Sequence, residues 1–258
     1  MRFLAGMQYR AAALAGIATQ FAWGFLNILL YKAFYEANPA AFPMKMEEIS
    51  AYIWLRQAFL ALFATWFYDK DILSMISDGS IAYELARPVD LYAIWFMRTA
   101  SVRISRAVLR CLPILVIAFI VPAPYGMMLP KDWLSAVIFV FSMAMSLVCV
   151  CAFGLIVYVM CCHTINSLGV RIVMSNLSDF LSGGIIPMPF MPDALRKIAE
   201  YSPFGAMENL PFRIYSGNIT GAEMWKFLLL QIFWCVALIL VGKVWMNLSL
   251  KKIVIQGG

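Results

Sequence analysis

The chain has 258 residues, of which 63% are hydrophobic and only 13% charged, with a formal net charge of +6. Soluble domains run near ~45–50% apolar and ~25% charged, and a chain of this size cannot hide so much apolar surface from water, so one large or two small soluble domains are excluded. The 20 Lys and Arg are scattered and accompany no nucleic-acid motif, so the charge belongs to loops and helix ends of a membrane protein and no nucleic-acid partner is expected.

Residues 1–12 place Phe3, Leu4, Met7 and Ala11 at helical spacing, with Arg2, Gln8 and Arg10 elsewhere. Two readings fit: an amphipathic helix lying at the inner interface, or the start of the first span. A signal peptide does not fit, because the apolar run after Arg10 continues to the length of a full span. A span needs about 20 mainly apolar residues. Residues 11–34, 49–68, 107–127, 134–160, 163–181 and 227–248 are read as spans, which predicts an all-α polytopic protein with one transmembrane domain over 1–258. Lys and Arg gather before span one, between spans two and three, and in the tail at Lys251 and Lys252. Placing these segments in the cytoplasm puts both termini there and leaves 35–48, 128–133 and 182–226 outside.

Span one carries Ala12, Gly16, Gln20, Gly24 and Asn27 on one stripe, a small and polar face that lets another helix approach closely. Span two carries Arg56 and Gln57. Span five is polar, with Thr164, Asn166, Ser167, Arg171, Ser175, Asn176, Ser178 and Asp179. Facing lipid with these groups is costly, so they face protein or a watery path. Arg56 and Asp179 both fall in outer halves and can pair. Arg56, Gln57, Asn176 and Asp179 are therefore candidates for a translocation path, and structural pairing explains them equally well. Arg103, Arg106 and Arg110 lie on one stripe that suits snorkelling to anionic headgroups.

The longest polar stretch, 69–106, reads as two short helices broken at Asp78-Gly79, the second ending near Arg87 because Pro88 disfavours a helical predecessor. It is either a connector on lipid headgroups or a docking helix for a cytoplasmic partner. The outer segment 182–226 starts at Gly183-Gly184 and is punctuated by Pro187, Pro189 and Pro192. A helix over 193–201 and a second over 204–214 are predicted within it, closed by Ser216-Gly217. Its many apolar residues predict a loop that dips back into the membrane edge, covered by protein.

Enzyme signatures are missing: the sequence has one histidine, no HExxH and no GxxxxGK[ST] phosphate loop. Cys161-Cys162-His163 points in three directions on a helix and is not read as a metal site. Leu181-Ser-Gly-Gly184 copies letters of an ATPase signature by chance, and Asn218-Ile-Thr220 is a weak glycosylation pattern.

Two segments carry a family resemblance. Met75-Ile-Ser-Asp-Gly-Ser-Ile-Ala-Tyr-Glu-Leu-Ala-Arg-Pro-Val-Asp-Leu-Tyr92 resembles the cytoplasmic motif of bacterial ABC exporter permeases of the type-2 class, the ABC-2 family. Ser182-Gly-Gly-Ile-Ile-Pro187, Phe190-Met-Pro192, Ser202-Pro-Phe204, Pro211 and Tyr215-Ser-Gly217 are similar to that branch's outer re-entrant segment. The resemblance implies a permease in the bacterial inner membrane, surrounded by lipid, that pairs with a second permease, identical or homologous, and with two cytoplasmic ABC ATPase subunits. ATP and Mg would be bound by those partners, with no cofactor or metal in this chain. Asp78, Gly79, Ile81, Tyr83, Glu84, Arg87 and Pro88 would form the coupling helix docked on the ATPase. Gly183, Gly184, Pro187, Pro192, Pro203, Phe204, Pro211 and Gly217 would shape the outer re-entrant segment. The competing function is a stand-alone secondary transporter or channel using Arg56, Arg171 and Asp179.

Overall fold

The structure is a computed structural model; it describes residues 10–85, 88–164 and 166–251, with the side chains of 10–15 and 85 outside the description. The interfacial helix expected over 1–12, and Arg87 and Lys252, fall outside or largely outside these residues. Among the described residues there are ten α-helices, two short 3-10 turns and no strand. In chain order the helices are α1 (Arg10–Ala37), α2 (Met46–Phe63), α3 (Lys70–Asp78), α4 (Ile81–Leu85) and α5 (Leu91–Ile120). There follow α6 (Trp133–Cys162), α7 (Ser167–Leu181), α8 (Asp193–Tyr201), α9 (Asn209–Tyr215) and α10 (Gly221–Leu250).

Local chemistry sets several of the starts. Asp69, Asp90, Asp132 and Asn166 each accept a backbone N–H in the first turn of α3, α5, α6 and α7, at 2.9, 3.0, 2.6 and 2.9 Å. Such side-chain acceptors satisfy donors that a helix N-terminus leaves open. α2 starts with Glu47 and Glu48 in its first turn, where acidic charge meets the positive end of the helix dipole.

The third apolar segment departs from expectation. α5 begins at Leu91, not near Ala107, and runs through Arg98, Arg103, Arg106 and Arg110 before it ends at Ile120. It stops there because Val121 precedes Pro122 and takes an extended conformation. The arginines broke the hydropathy signal without breaking the helix.

α6 is the central post. It packs most extensively on α10, and also on α9, α5, α7, α3 and α2. Cys149 through Val159 of α6 are buried without interruption. α2 packs on α5 and α1 to form the other side of the bundle. α10 presents Leu229, Phe233, Val236, Leu240 and Val244 outward, and α1 presents Trp23, Leu26, Leu30 and Phe34. Large apolar faces left open in this way suit a lipid solvent.

α6 and α10 are each long and apolar enough to cross a membrane by length and composition. α7 has 15 residues, about 22 Å at ~1.5 Å per residue, which is short of a ~30 Å hydrocarbon core. The segment that follows α7 folds back against the bundle. α9 is buried throughout, between α6 and α2, with the Phe212 ring 5.4 Å from Tyr52 and 5.8 Å from Phe63.

Candidate functional site: a pinned surface helix and a charged corner

The α3–α4 pair lies at one end of the bundle. Ile72 of α3 and Ile81 of α4 are 0% and 3% exposed and pack in one cluster with Leu91, Trp95, Tyr158 and Met246. Arg98 of α5 forks the Asp69 carboxylate at 2.6 and 2.9 Å and reaches Asp71 at 2.8 Å, fastening the start of α3. Tyr158 Oη accepts the Asp69 backbone N–H at 2.7 Å.

Between the helices Gly79 adopts φ +76°, the left-handed region, with open space around it. The Asp78 carboxylate accepts the Ser80 N–H at 2.9 Å and a Ser74 hydroxyl at 3.2 Å. Hydrogen bonds from Ser80, its hydroxyl foremost, hold the Asp78 carboxyl below the usual carboxylate range, so this turn carries a negative charge at neutral pH.

Tyr83, on the far side of α4, is 80% exposed, and Pro88 and Val89 are exposed beyond it. Glu84 is half-buried. The expectation that Ile81 faces a partner is corrected. Its side chain is turned into its own chain because Leu91, Trp95 and Tyr158 close an apolar pocket there, so Ile81 can act only by holding α4 in place.

The second site is a charged corner where α2 and α7 meet the segment after α7. Arg56 Nε lies 3.9 Å from Glu208 Oε1. Asp179 approaches the same corner: a Cβ on Gly184 would sit 2.1 Å from Asp179 Oδ1 and 2.8 Å from Glu208 Oε1. Gly184 is thus the point at which two carboxylates converge, and its N–H donates to the Asp179 carbonyl at 2.8 Å. Ser182 Oγ donates to Glu208 at 3.5 Å, and Gly183 turns the chain at φ +88° against the Tyr52 hydroxyl.

The open question of an Arg56–Asp179 pair is thus answered by a corner of three groups: among the described residues the carboxylate within salt-bridge distance of Arg56 is Glu208, with Asp179 beside it. The sequence reading did not select Glu208 because it lies outside the spans. The available signal was one acid in the apolar run from Phe204 to Phe212.

Arg56 and Gln57 line an open cleft of about 350 Å³ between α1 and α2, together with Gln20, Asn27, Trp23 and Gly184. Asn176 does not line it; it is exposed and donates to the Ile172 carbonyl of its own helix at 2.9 Å. Arg171 likewise donates to Ser167 of its own helix, at 3.3 Å, and lies over the Tyr68 ring. Ser175, on the buried face of α7, exchanges hydrogen bonds with Thr65 and meets the Tyr68 hydroxyl at 3.1 Å. The snorkelling stripe is corrected at one position. Arg103 is buried and donates to the Leu62 and Ala64 carbonyls at 3.1 and 2.8 Å, closing the end of α2. Lys and Arg side chains near a helix C-terminus satisfy its open carbonyls in this way.

The residues after α7 form the wedge that carries Glu208. Pro187 opens a 3-10 turn and Pro192 precedes α8. Pro203 and Phe204 lie in the α8–α9 turn, where Phe204 meets the Phe153 ring at 5.5 Å. Pro211 is buried in α9, and Gly217 leaves it at φ +76°. Asn218 accepts the Arg213 Nε–H at 2.8 Å. Gln231 of α10 ties the wedge to α6, bonding Ser142, Ser146 and the Ala206 carbonyl at 2.9 to 3.2 Å.

A family model described as ABC-2 family transporter protein matches residues 21–257. No curated protein matches the chain.

Proposed function

Since the chain belongs to the ABC-2 family of transporter proteins, and so is the membrane component of an ABC transporter in a family without an ATPase domain of its own, we propose that it is an exporter permease. It pairs with a second permease and with two cytoplasmic ATPase subunits and moves its substrate outward. α1, α2, α5, α6 and α10, together with α7 continued by the segment that follows it, serve as six spans of one transmembrane domain, with both termini and α3–α4 on the cytoplasmic side of a bacterial inner membrane. ATP and Mg belong to the partner subunits.

One observation carries the docking assignment. α4 is held from below by Ile81 and Ile72 while Tyr83 stands 80% exposed above it. A helix fixed on one face with an aromatic side chain free on the other suits a protein pocket, where central aromatic anchors supply most of the binding energy and rim charges little. Asp78, Gly79, Glu84 and Pro88 flank that anchor in the chain, and Arg87 is proposed with them as part of the coupling element. The charged corner, reached from the α1–α2 cleft, is the candidate substrate path, with Arg56, Gln57 and Asp179 joined by Glu208. Asn176 has no place in that cleft.

The test is co-purification of the ATPase and ATP-dependent export at matched membrane expression. Tyr83→Asp is expected to lose both and Tyr83→Phe to keep both. Full export and full ATPase binding by Tyr83→Asp would remove α4 as the docking element.

A further inference from the structure

Along α5, Trp95, Thr99 and Arg103 recur at i, i+4 and i+8, so they share one face. They are 1%, 7% and 4% exposed. Each carries a buried polar atom without a hydrogen-bond partner: Trp95 Nε1, Thr99 Oγ1 and Arg103 Nε. Indole and guanidinium N–H groups can only donate. Buried donors left open are costly, and natural structures rarely keep several together without water or a ligand to satisfy them.

Thr99 and Arg103 line a cavity of about 200 Å³ beside the start of α3. One water needs only ~10–15 Å³ of such space, so the cavity holds more than a single bridging water. Arg106 lines it as well, with its guanidinium over the Phe67 ring at 5.2 Å. Asp69 and Asp71 also line it, and both are bound by Arg98. Arg103 spends Nη1 on the Leu62 and Ala64 carbonyls and Nη2 on the Phe67 carbonyl, which leaves Nε for something else.

We propose that this cavity is a binding site for a phosphate group. Phosphate oxygens are acceptors, they match donor-only side chains, and arginine holds them through charge-assisted bonds. Arg103 and Thr99 form the inner wall and Arg106 the outer one. The cavity lies between the α2–α3 connection, the start of α3, α5 and Tyr158 of α6, so an occupant would brace the base of the proposed coupling element. On the proposed topology its mouth is at the level of the inner-leaflet headgroups. The phosphate can then come from a phospholipid or from a soluble phosphate ester.

Thermal unfolding of the full-length chain, purified in an uncharged detergent, separates these sources and requires neither ATP nor transport. Three probes are titrated: dihexanoyl-phosphatidylglycerol, glycerol phosphate, and dihexanoyl-glycerol, which has the acyl chains without phosphate. Stabilisation by the first alone assigns a lipid headgroup. Stabilisation by glycerol phosphate assigns a soluble ester. Either supports the site if Thr99→Val and Arg106→Gln each weaken the apparent affinity by about ten-fold, the loss expected for one bond to a charged group. Thr99→Val keeps the side chain's shape and Arg106 is exposed, so neither variant should fail to fold. The site is refuted if no phosphate probe stabilises the chain, if dihexanoyl-glycerol stabilises it equally, or if both variants respond as the parent does.

Discussion

One guanidinium faces two carboxylates at the corner of Arg56, Asp179 and Glu208, and the three are not equivalent. Removing Arg56 leaves two acids converging on Gly184, whereas Glu208→Gln keeps the shape and removes one of two like charges. Truncating one partner of a buried pair costs ~3–5 kcal/mol, so Arg56→Gln is expected to lower the yield of folded protein sharply and Glu208→Gln to lower it little. Monodisperse yield in detergent is the measurement, and equal losses would show that the corner is not organised around Arg56. Gly184→Ala would place a methyl group 2.1 Å from Asp179 Oδ1 and 2.8 Å from the Asp179 carbonyl. Overpacking of that kind costs about 1–3 kcal/mol. Gly154→Ala, in a helix with nothing within 4 Å of the new atom, should be neutral or gain ~0.5–1 kcal/mol. Comparing the unfolding midpoints of these two variants checks the packing at the corner. Arg56 and Asp179 were legible in the sequence because a charge inside an apolar run demands an explanation. Glu208 was not, since its importance arises only when the segment after α7 folds back beside α2.

At the scale of elements, α3 and α4 were readable from the Asp78-Gly79 break, but the direction of each side chain was not. Five residues, Ile81–Leu85, are too few for a periodic pattern to tell an inner face from an outer one, and Ile81 and Tyr83 read alike as apolar. The packing separates them. Ile81→Asp buries a charge among Leu91, Trp95 and Tyr158 and is expected to detach α4 from the bundle, while Tyr83→Asp leaves it attached and removes the outward contact. Hydrogen exchange over 72–85 distinguishes the two outcomes: faster exchange in Ile81→Asp and unchanged exchange in Tyr83→Asp. At Gly79 the surroundings are open, so only the backbone matters. A left-handed non-glycine residue costs roughly 1–2 kcal/mol, and Asn tolerates that region better than Val. Coupled ATPase activity should therefore fall in the order Gly79, Gly79→Asn, Gly79→Val.

For the whole molecule, the segment from Ser182 to Tyr215 acts as a wedge between α6 and α2, and Gln231 is the bolt that holds it. Its amide bonds three partners in two other elements. Gln231→Leu would leave the Ser142 hydroxyl buried without its partner, at about 1–3 kcal/mol, and would leave Ser146 and the Ala206 carbonyl only their 3.3 Å bond to each other. The expected result is a lower unfolding midpoint and easier proteolysis near Ala206. The wedge also fixes a topological expectation. Single cysteines at Lys197 and Lys251 in a cysteine-free background, both positions exposed, should differ in intact cells. Lys197→Cys should react with an impermeant reagent and Lys251→Cys should not, and the reverse result would invert the proposed orientation.

What the sequence determined by itself was class and punctuation. Composition demanded a membrane protein, apolar runs marked where α1, α2, α6, α7 and α10 lie, and the glycines and prolines after Leu181 announced an irregular segment. These are local properties, set by solvent transfer and by allowed backbone angles, and each can be read a few residues at a time. The tertiary structure alone decided that α5 continues through its arginines, because Arg103 finds its partners in the end of α2, forty residues away in the chain. It alone decided that Arg56 meets Glu208, and which side of α4 is free. Those outcomes depend on pairings between distant segments, and the energy of a charge or an aromatic ring is set by what is brought to it.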